Sequence, residues 1–243
     1  MRWVCLVVAT GCARGLAEPA PPTVPSAVGG AEAEHATRSP VGVPGEGIVY
    51  KVDLRGITVG RVQVAVGEPG FVDGRPAIIV RTRATSSGLA ALIGDISYDL
   101  TTTLDTDTGE ALEETESWDV KFAGEHEHDS HHRKSVDGIE RNVHAVVGQL
   151  RAWRSKIGER RDDDLRLGDI YLSLELADAG RELLAEANLP SARYTGAAQS
   201  GRFPVTMWLS DDQSRVPLKL VASTKLGEIA VELASYDVTH DAD

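Results

Sequence analysis

Beyond residue 12 this sequence has no cysteine; its two, Cys5 and Cys12, both fall in the first dozen positions. That absence excludes a disulfide, a thiolate nucleophile and a cysteine metal ligand from everything downstream, so core burial has to hold the fold together. Positive charge is also scarce. Lys and Arg number 25 against 37 Asp and Glu, a formal net charge of -12, and before Gly45 only Arg2, Arg14, Glu18, Glu32, Glu34 and Arg38 are charged. The acidity therefore belongs to the region after Gly45, which repels phosphate backbones, and no nucleic-acid partner is expected. Recognisable catalytic motifs are lacking too. There is no Gly-x-Ser-x-Gly, no phosphate-binding loop and no dinucleotide fingerprint, and Ser86-Ser87-Gly88 has no strand–Ser–helix setting.

At the N-terminus an apolar stretch from Trp3 to Ala13 follows a single Arg2. It is too short to span a bilayer and has the size of a secretory apolar region, so residues 1–17 are expected to be an export signal. Two processing readings stay open. Ala9-Thr10-Gly11-Cys12 resembles a lipobox with Cys12 as the lipidated residue, although Ala9 stands where Leu is usual. Alternatively, Gly15-Leu16-Ala17 is a small-x-small site cleaved after Ala17. Residues 18–44 hold six of the eleven prolines and no periodicity, the composition of a semi-extended tether. A lipid-anchored protein of the cell envelope needs such a spacer, and so can a periplasmic or secreted one.

From Gly45 to about residue 240 one antiparallel β domain is expected. Ile48, Tyr50, Val52 and Leu54 alternate with polar neighbours, as do Val62, Val64 and Val66, then Ile78, Val80 and Thr82, then Ile96 through Leu104. Arg55-Gly56, Asp73-Gly74 and Asp107-Thr108-Gly109 punctuate these runs as turns. Leu112 to Phe122, Ile170 to Leu174, Phe203 to Ser210, Arg215 to Ser223 and Glu228 to Val238 add further strands. Strands at this spacing predict a mainly β fold, a meander curled into a barrel or half-open barrel. Within it Val143, Val146, Val147, Leu150 and Trp153 recur at helical spacing behind Asn142, predicting one amphipathic helix over about 142–154 with Asn142 as its cap. The charge run Asp162-Asp163-Asp164 after Arg160-Arg161 reads as a solvated loop at the exit of that helix.

Several stretches resemble the bacterial domain-of-unknown-function family numbered 3108. They are Gly45 to Tyr50, Ile57 to Val62, Ala84 to Leu89 leading to Asp95 and Tyr98, Val205 to Asp212, Arg215 to Leu218, and Gly227 to Tyr236. The resemblance spans roughly Gly45 to Val238 and is weakest from Lys121 to Gly168. It implies an envelope protein with an antiparallel, barrel-like sheet, and a hairpin turn at Asp178-Ala179-Gly180-Arg181 where local propensity favours helix. It brings no catalytic residues, because the family is named for lacking a function.

The one unusual constellation is Glu125 to His132, which holds four of the seven histidines. In an extended strand His126, His128 and His132 share a face and offer imidazoles to a divalent transition metal. The competing reading is an exposed polar strand. His144 lies inside the apolar helix and reads as structural. Three functions are therefore carried forward. The first is a non-enzymatic binding or structural module for a lipid, peptide or envelope protein partner. The second is a metal-binding protein using the histidine run, and the third is a hydrolase of unrecognised type.

Overall fold

Positive backbone φ at paired residues sets the first two turns of the domain. Strands β1 (Glu46–Leu54) and β2 (Ile57–Val66) are joined by Arg55 (φ 53) and Gly56 (φ 78). A two-residue loop of this mirror-image type matches the right-handed twist of the strands it connects. Asp73 (φ 52) and Gly74 (φ 78) repeat the device between β3 (Gly70–Val72) and β4 (Arg75–Ser86). A single 3-10 turn at Ala90–Leu92 leads into β5 (Gly94–Asp105), which pairs with β6 (Ala111–Phe122) and that in turn with β7 (Glu125–Lys134). Helix α1 (Val143–Ala152) follows, then β8 (Arg160–Leu167), β9 (Ile170–Leu184), β10 (Leu189–Ala198), β11 (Phe203–Ser210), β12 (Pro217–Thr224) and β13 (Gly227–Val238). These elements come from a computed structural model that describes residues 41–88, 90–92, 94–122, 125–134, 142–167, 170–185, 188–199 and 201–238.

All the strands form one antiparallel sheet in the order β7-β6-β5-β4-β2-β1-β13-β12-β11-β10-β9-β8, with β3 added against β4. The first and last strands, β1 and β13, pair in its middle, so each half of the chain builds outward from that seam to its own edge. The sheet is curled rather than closed, and α1 packs against strands from both of its halves. Edge-to-edge proximity is visible in side chains, because Arg166 of β8 donates to Glu114 of β6 at 2.7 Å. A parallel bridge also joins Asn142, just before α1, to Arg166.

The helix forms where the sequence placed it. Asn142 accepts the Ala145 N–H at 2.9 Å through its side chain, the cap that the first turn requires. Ala145 packs with Val41, Val66, Ile78, Val80, Leu104 and Ala111, while Val146 and Leu150 pack with Leu176, Ala192, Tyr194, Met207 and Leu209. A third cluster gathers Ile48, Tyr50 and Val216. At roughly 1.5–3 kcal/mol for each large apolar side chain removed from water, these clusters supply the stability that no disulfide provides. Val41 is part of the core, so packing begins ahead of Gly45. Cys12, Ala17 and residues 18–40 lie outside the described residues.

Two expectations are corrected. Asp178 to Arg181 is not a hairpin turn: β9 runs unbroken from Ile170 to Leu184. Tyr194 is opposite Asp178 and Arg193 opposite Gly180, which leaves Ala179 as the extra residue of a β-bulge. The Asp178 carboxylate accepts the Gly180 N–H and Gly180 takes φ 107, so the chain bends there without leaving the sheet. Pairing with β10 on one side and the Asp178 backbone hydrogen bonds to Gly158 and Glu159 on the other override the helix propensity of this stretch. Asp162 to Asp164 are not a loop either but the middle of β8. Asp163 is buried there because Arg161 grips it through two nitrogens, at 2.5 and 2.9 Å.

Candidate binding site

Parity along each strand identifies the side chains that face the helix. On β5 the buried Leu100, Thr102 and Leu104 set the inward register, so Ile96 and Tyr98 also point inward. On β6 the buried Glu114 and Glu116 do the same for Trp118 and Val120. The helix covers only one end of this concave face, where β1 begins, β2 ends and β5 ends. Away from it the inward row continues through Val52, Ala84, Ile96, Trp118, Val120 and Ile229, all of them half-buried and outside the three core clusters. Half-buried apolar side chains on the inward face of a curled sheet make a surface suited to an apolar ligand.

A polar layer separates this row from the helix. His144 of α1 lies between Thr82 Oγ1, 2.7 Å from Nε2, and Thr102 Oγ1, 2.8 Å from Nδ1, while Asn142 Nδ2 donates to the same Thr102 oxygen. Thr102 accepts from Asn142, and the two imidazole nitrogens face the Thr82 and Thr102 hydroxyls, each of which can donate or accept according to the tautomer. Burial holds the His144 pKa down at about 4. Beside it stand two carboxylates and two guanidiniums. Arg133 donates to Glu114 at 3.0 Å and to Glu116 at 3.1 Å, and Arg166 reaches Glu114 from the opposite edge of the sheet. Glu114, Glu116 and Arg166 are buried. Tyr98 faces this group from β5; burial raises the pKa of its phenol, and the charge of Glu116 raises it further. Tyr98 Oη and Glu116 Oε1 are both shut off from solvent, and the contact between the two side chains adds to the same shift.

A second polar group ties the helix to the sheet. Arg151 makes a two-pronged pair with Glu46 at 2.6 and 2.7 Å and also donates to the Ser214 carbonyl. Burial, followed by the charge of Glu46, pushes the Tyr236 phenol up to about 12. Past the helix Ser155 donates to Asp178, and Arg215 donates to the Tyr194 hydroxyl. Burial works to raise the Asp178 pKa, but Ser155, the Gly180 N–H and Arg181 outweigh it and hold the carboxyl below its usual range.

The histidine run forms β7, an exposed edge strand. The structure brings His126 and His128 to one carboxylate, Asp119, at 2.8 and 3.8 Å. It leaves His132 elsewhere, paired with Glu113 at 3.0 Å and Thr115 at 3.0 Å. Four residues of strand, about 13 Å, separate His132 from His128. Among the described residues no group of three or more His, Cys, Asp or Glu is placed to hold a metal ion. The charged edge has a physical use in any case, since it discourages pairing with a foreign strand.

No family model and no curated protein matches this chain. Among solved structures, it is similar to a β-barrel-like protein of domain of unknown function 1849 from Brucella abortus. The TM-score is 0.48 at 11% identity, over 82% of this chain and 100% of that one. A hypothetical protein from Chlamydia trachomatis is similar with a TM-score of 0.40 at 9% identity, over 84% of this chain and 91% of that one.

Glu114, Glu116, Arg133 and Arg166 were not singled out by the sequence. Glu114 and Glu116 sit in Ala111–Phe122 at alternate positions, where carboxylates ordinarily mark the solvent face. Glu114 is met by Arg166, 52 residues further along the chain, and both carboxylates by Arg133.

Proposed function

We propose that the protein is a non-enzymatic envelope module that holds the apolar chain of a lipid-like molecule in the concavity of its sheet. The half-buried inward row from Val52 to Ile229 carries this reading. A row of that kind costs stability when left empty, because roughly 25 cal/mol is forgone for each Å² of apolar surface that stays wet. Retaining it makes sense where an apolar ligand completes the burial. The export signal and tether read at the N-terminus support an envelope location, with Cys12 as the lipid anchor.

The test is titration of the full chain with N-phenyl-1-naphthylamine, a neutral apolar dye that brightens out of water. Saturable binding is expected. Ala84→Trp, which fills the concavity, should weaken it by ~10-fold, equivalent to about 1.4 kcal/mol. Ile79→Ala, on the exposed outer face of the same strand, should leave it unchanged. No saturable binding by a chain whose far-UV spectrum shows a folded sheet would overturn the reading, as would equal loss in both variants.

A further inference from the structure

The inward apolar row runs out to one end of the sheet. Leu54 pairs with Ile57 on one side and with Ile229 on the other, so Ile57 carries the row of Val52 and Ile229 to the rim. Ala84 near the end of β4 and Ile96 near the start of β5 flank the turn between those strands. In the sheet order from β5 to β10, four successive turns fall at this end: β4–β5, β1–β2, β12–β13 and β10–β11. Neighbouring turns touch. The Arg55 N–H donates to the Glu228 carbonyl at 2.8 Å, and a Cβ placed at Gly88 would stand 2.7 Å from the Thr58 carbonyl oxygen.

These turns are apolar and basic in an acidic chain. Residues 87–93 carry no charge. Ile57 and Leu226 are 39% and 47% exposed at the tips of their hairpins, and each lies within two residues of an exposed cation, Arg55 and Lys225. Arg202 adds a third cation at β10–β11. Against these three, residues 55–58, 199–203 and 223–228 hold one carboxylate, Glu228, whereas the whole chain has 25 basic residues to 37 acidic. Arg55, Arg202 and Lys225 make no ion pair among the described residues, so their charge is available to a partner. The turns at the opposite end carry Asp73, Asp107, Glu110, Asp211 and Asp212. Single exposed apolar residues are ordinary on any protein. What sets Ile57 and Leu226 apart is the cation beside each and the apolar row behind them.

An apolar tip with a cation next to it suits the boundary of a lipid bilayer, where the apolar group enters the headgroup layer and the cation meets phosphate. An acidic protein would satisfy the cations but leave the row behind them opening onto a polar surface. We propose that this end of the sheet docks on an anionic lipid surface, with the apolar row opening toward the hydrocarbon. The inference rests on the binding reading above and places the entry of its ligand.

Sedimentation with vesicles of about one-quarter phosphatidylglycerol in phosphatidylethanolamine tests this on the full chain carrying Cys12→Ser, so that no lipid on Cys12 contributes. Binding is expected, ~10-fold tighter than to phosphatidylcholine vesicles. Arg202→Glu with Lys225→Glu should weaken it by ~10-fold or more. Lys156→Glu with Arg160→Glu makes an equal change of charge away from these turns and should leave it within about twofold. Leu226→Ser should weaken it several-fold. No binding to the anionic vesicles, or equal loss in the two charge-reversal pairs, would overturn the docking. A chain that ignores the vesicles yet is retained on immobilised polyglutamate through Arg202 and Lys225 would overturn it in favour of an acidic protein partner. In either case a chain that still binds N-phenyl-1-naphthylamine keeps the apolar-ligand reading. A chain that docks on vesicles through these residues but never binds the dye overturns that reading and keeps the docking surface.

Discussion

His144 shows how a single side chain can set the acid limit of this fold. The ring is buried, its two nitrogens are held by Thr82 and Thr102, and its pKa in the folded protein is about 4. In the unfolded chain a histidine titrates near 6.5. Between those values the unfolded state binds a proton that the folded state refuses, so stability rises with pH there and is lost as pH falls from 6.5 towards 4. The full difference corresponds to about 3 kcal/mol as an upper figure. Urea midpoints measured at pH 7 and at pH 4.5 should fall more steeply for the wild type than for His144→Gln, whose amide takes no proton. Parallel losses in the two proteins would show that another group sets the acid limit. That His144 is buried was legible from its place inside the apolar helix. Its partners were not, because Thr82 and Thr102 precede it by 62 and 42 residues and nothing local in a Thr-rich strand marks them.

At the scale of elements, α1 is held to the sheet by charge as well as by packing. Glu46 opens β1 and Arg151 closes α1, and both are buried. Removing one partner strands the other away from water, so Arg151→Met should destabilise the protein by about 3–5 kcal/mol. Replacing both residues, Glu46→Leu with Arg151→Met, should restore most of that loss, since no buried charge is then left alone. Chemical denaturation of the two single variants and the double variant measures the coupling. A double variant as unstable as the sum of the singles would place the stabilisation in packing instead. The elements themselves were unevenly legible. Strands β1, β2, β4 and β5 and the helix could be read because one face of each is apolar and the other polar, which is the pattern that period carries. Strand β8 could not: its Arg160 to Asp164 run has no apolar face, and the buried Asp163 is met there by Arg161. The bulge in β9 was misread for a related reason. Asp-Ala-Gly is turn chemistry in isolation, and it stays in the sheet through its pairing with β10 and the Asp178 backbone hydrogen bonds to Gly158 and Glu159. The apolar half of the candidate site followed from alternation at Ile96 and Tyr98. Its polar half was hidden, because inward-facing carboxylates are recognised only with the guanidiniums that meet them across the sheet.

On the scale of the whole molecule, the topology fixes where an anchor and a ligand can act relative to each other. The chain enters at β1, in the middle of the sheet beside β13, and Val41 is already packed in the core. Twenty-eight residues lie between Cys12 and Val41, counting 13 to 40, and six prolines fall in residues 18–44. Extended at about 3.1 Å per residue, a stretch of that length would reach roughly 87 Å, ample to let the domain turn its concave face toward or away from a membrane surface. An anchored module with that freedom can take an apolar molecule from a bilayer without being embedded in it. If Cys12 carries the lipid, the wild-type chain expressed in a bacterial host should sediment with membranes and be released by detergent, while Cys12→Ser should move to the soluble fraction. If the chain is instead cut after Ala17, the two proteins lose the same segment and will fractionate alike, and the anchor at Cys12 is then excluded. The mass of the purified N-terminal peptide separates these outcomes independently, since lipidation leaves Cys12 as the first residue and cleavage leaves Glu18.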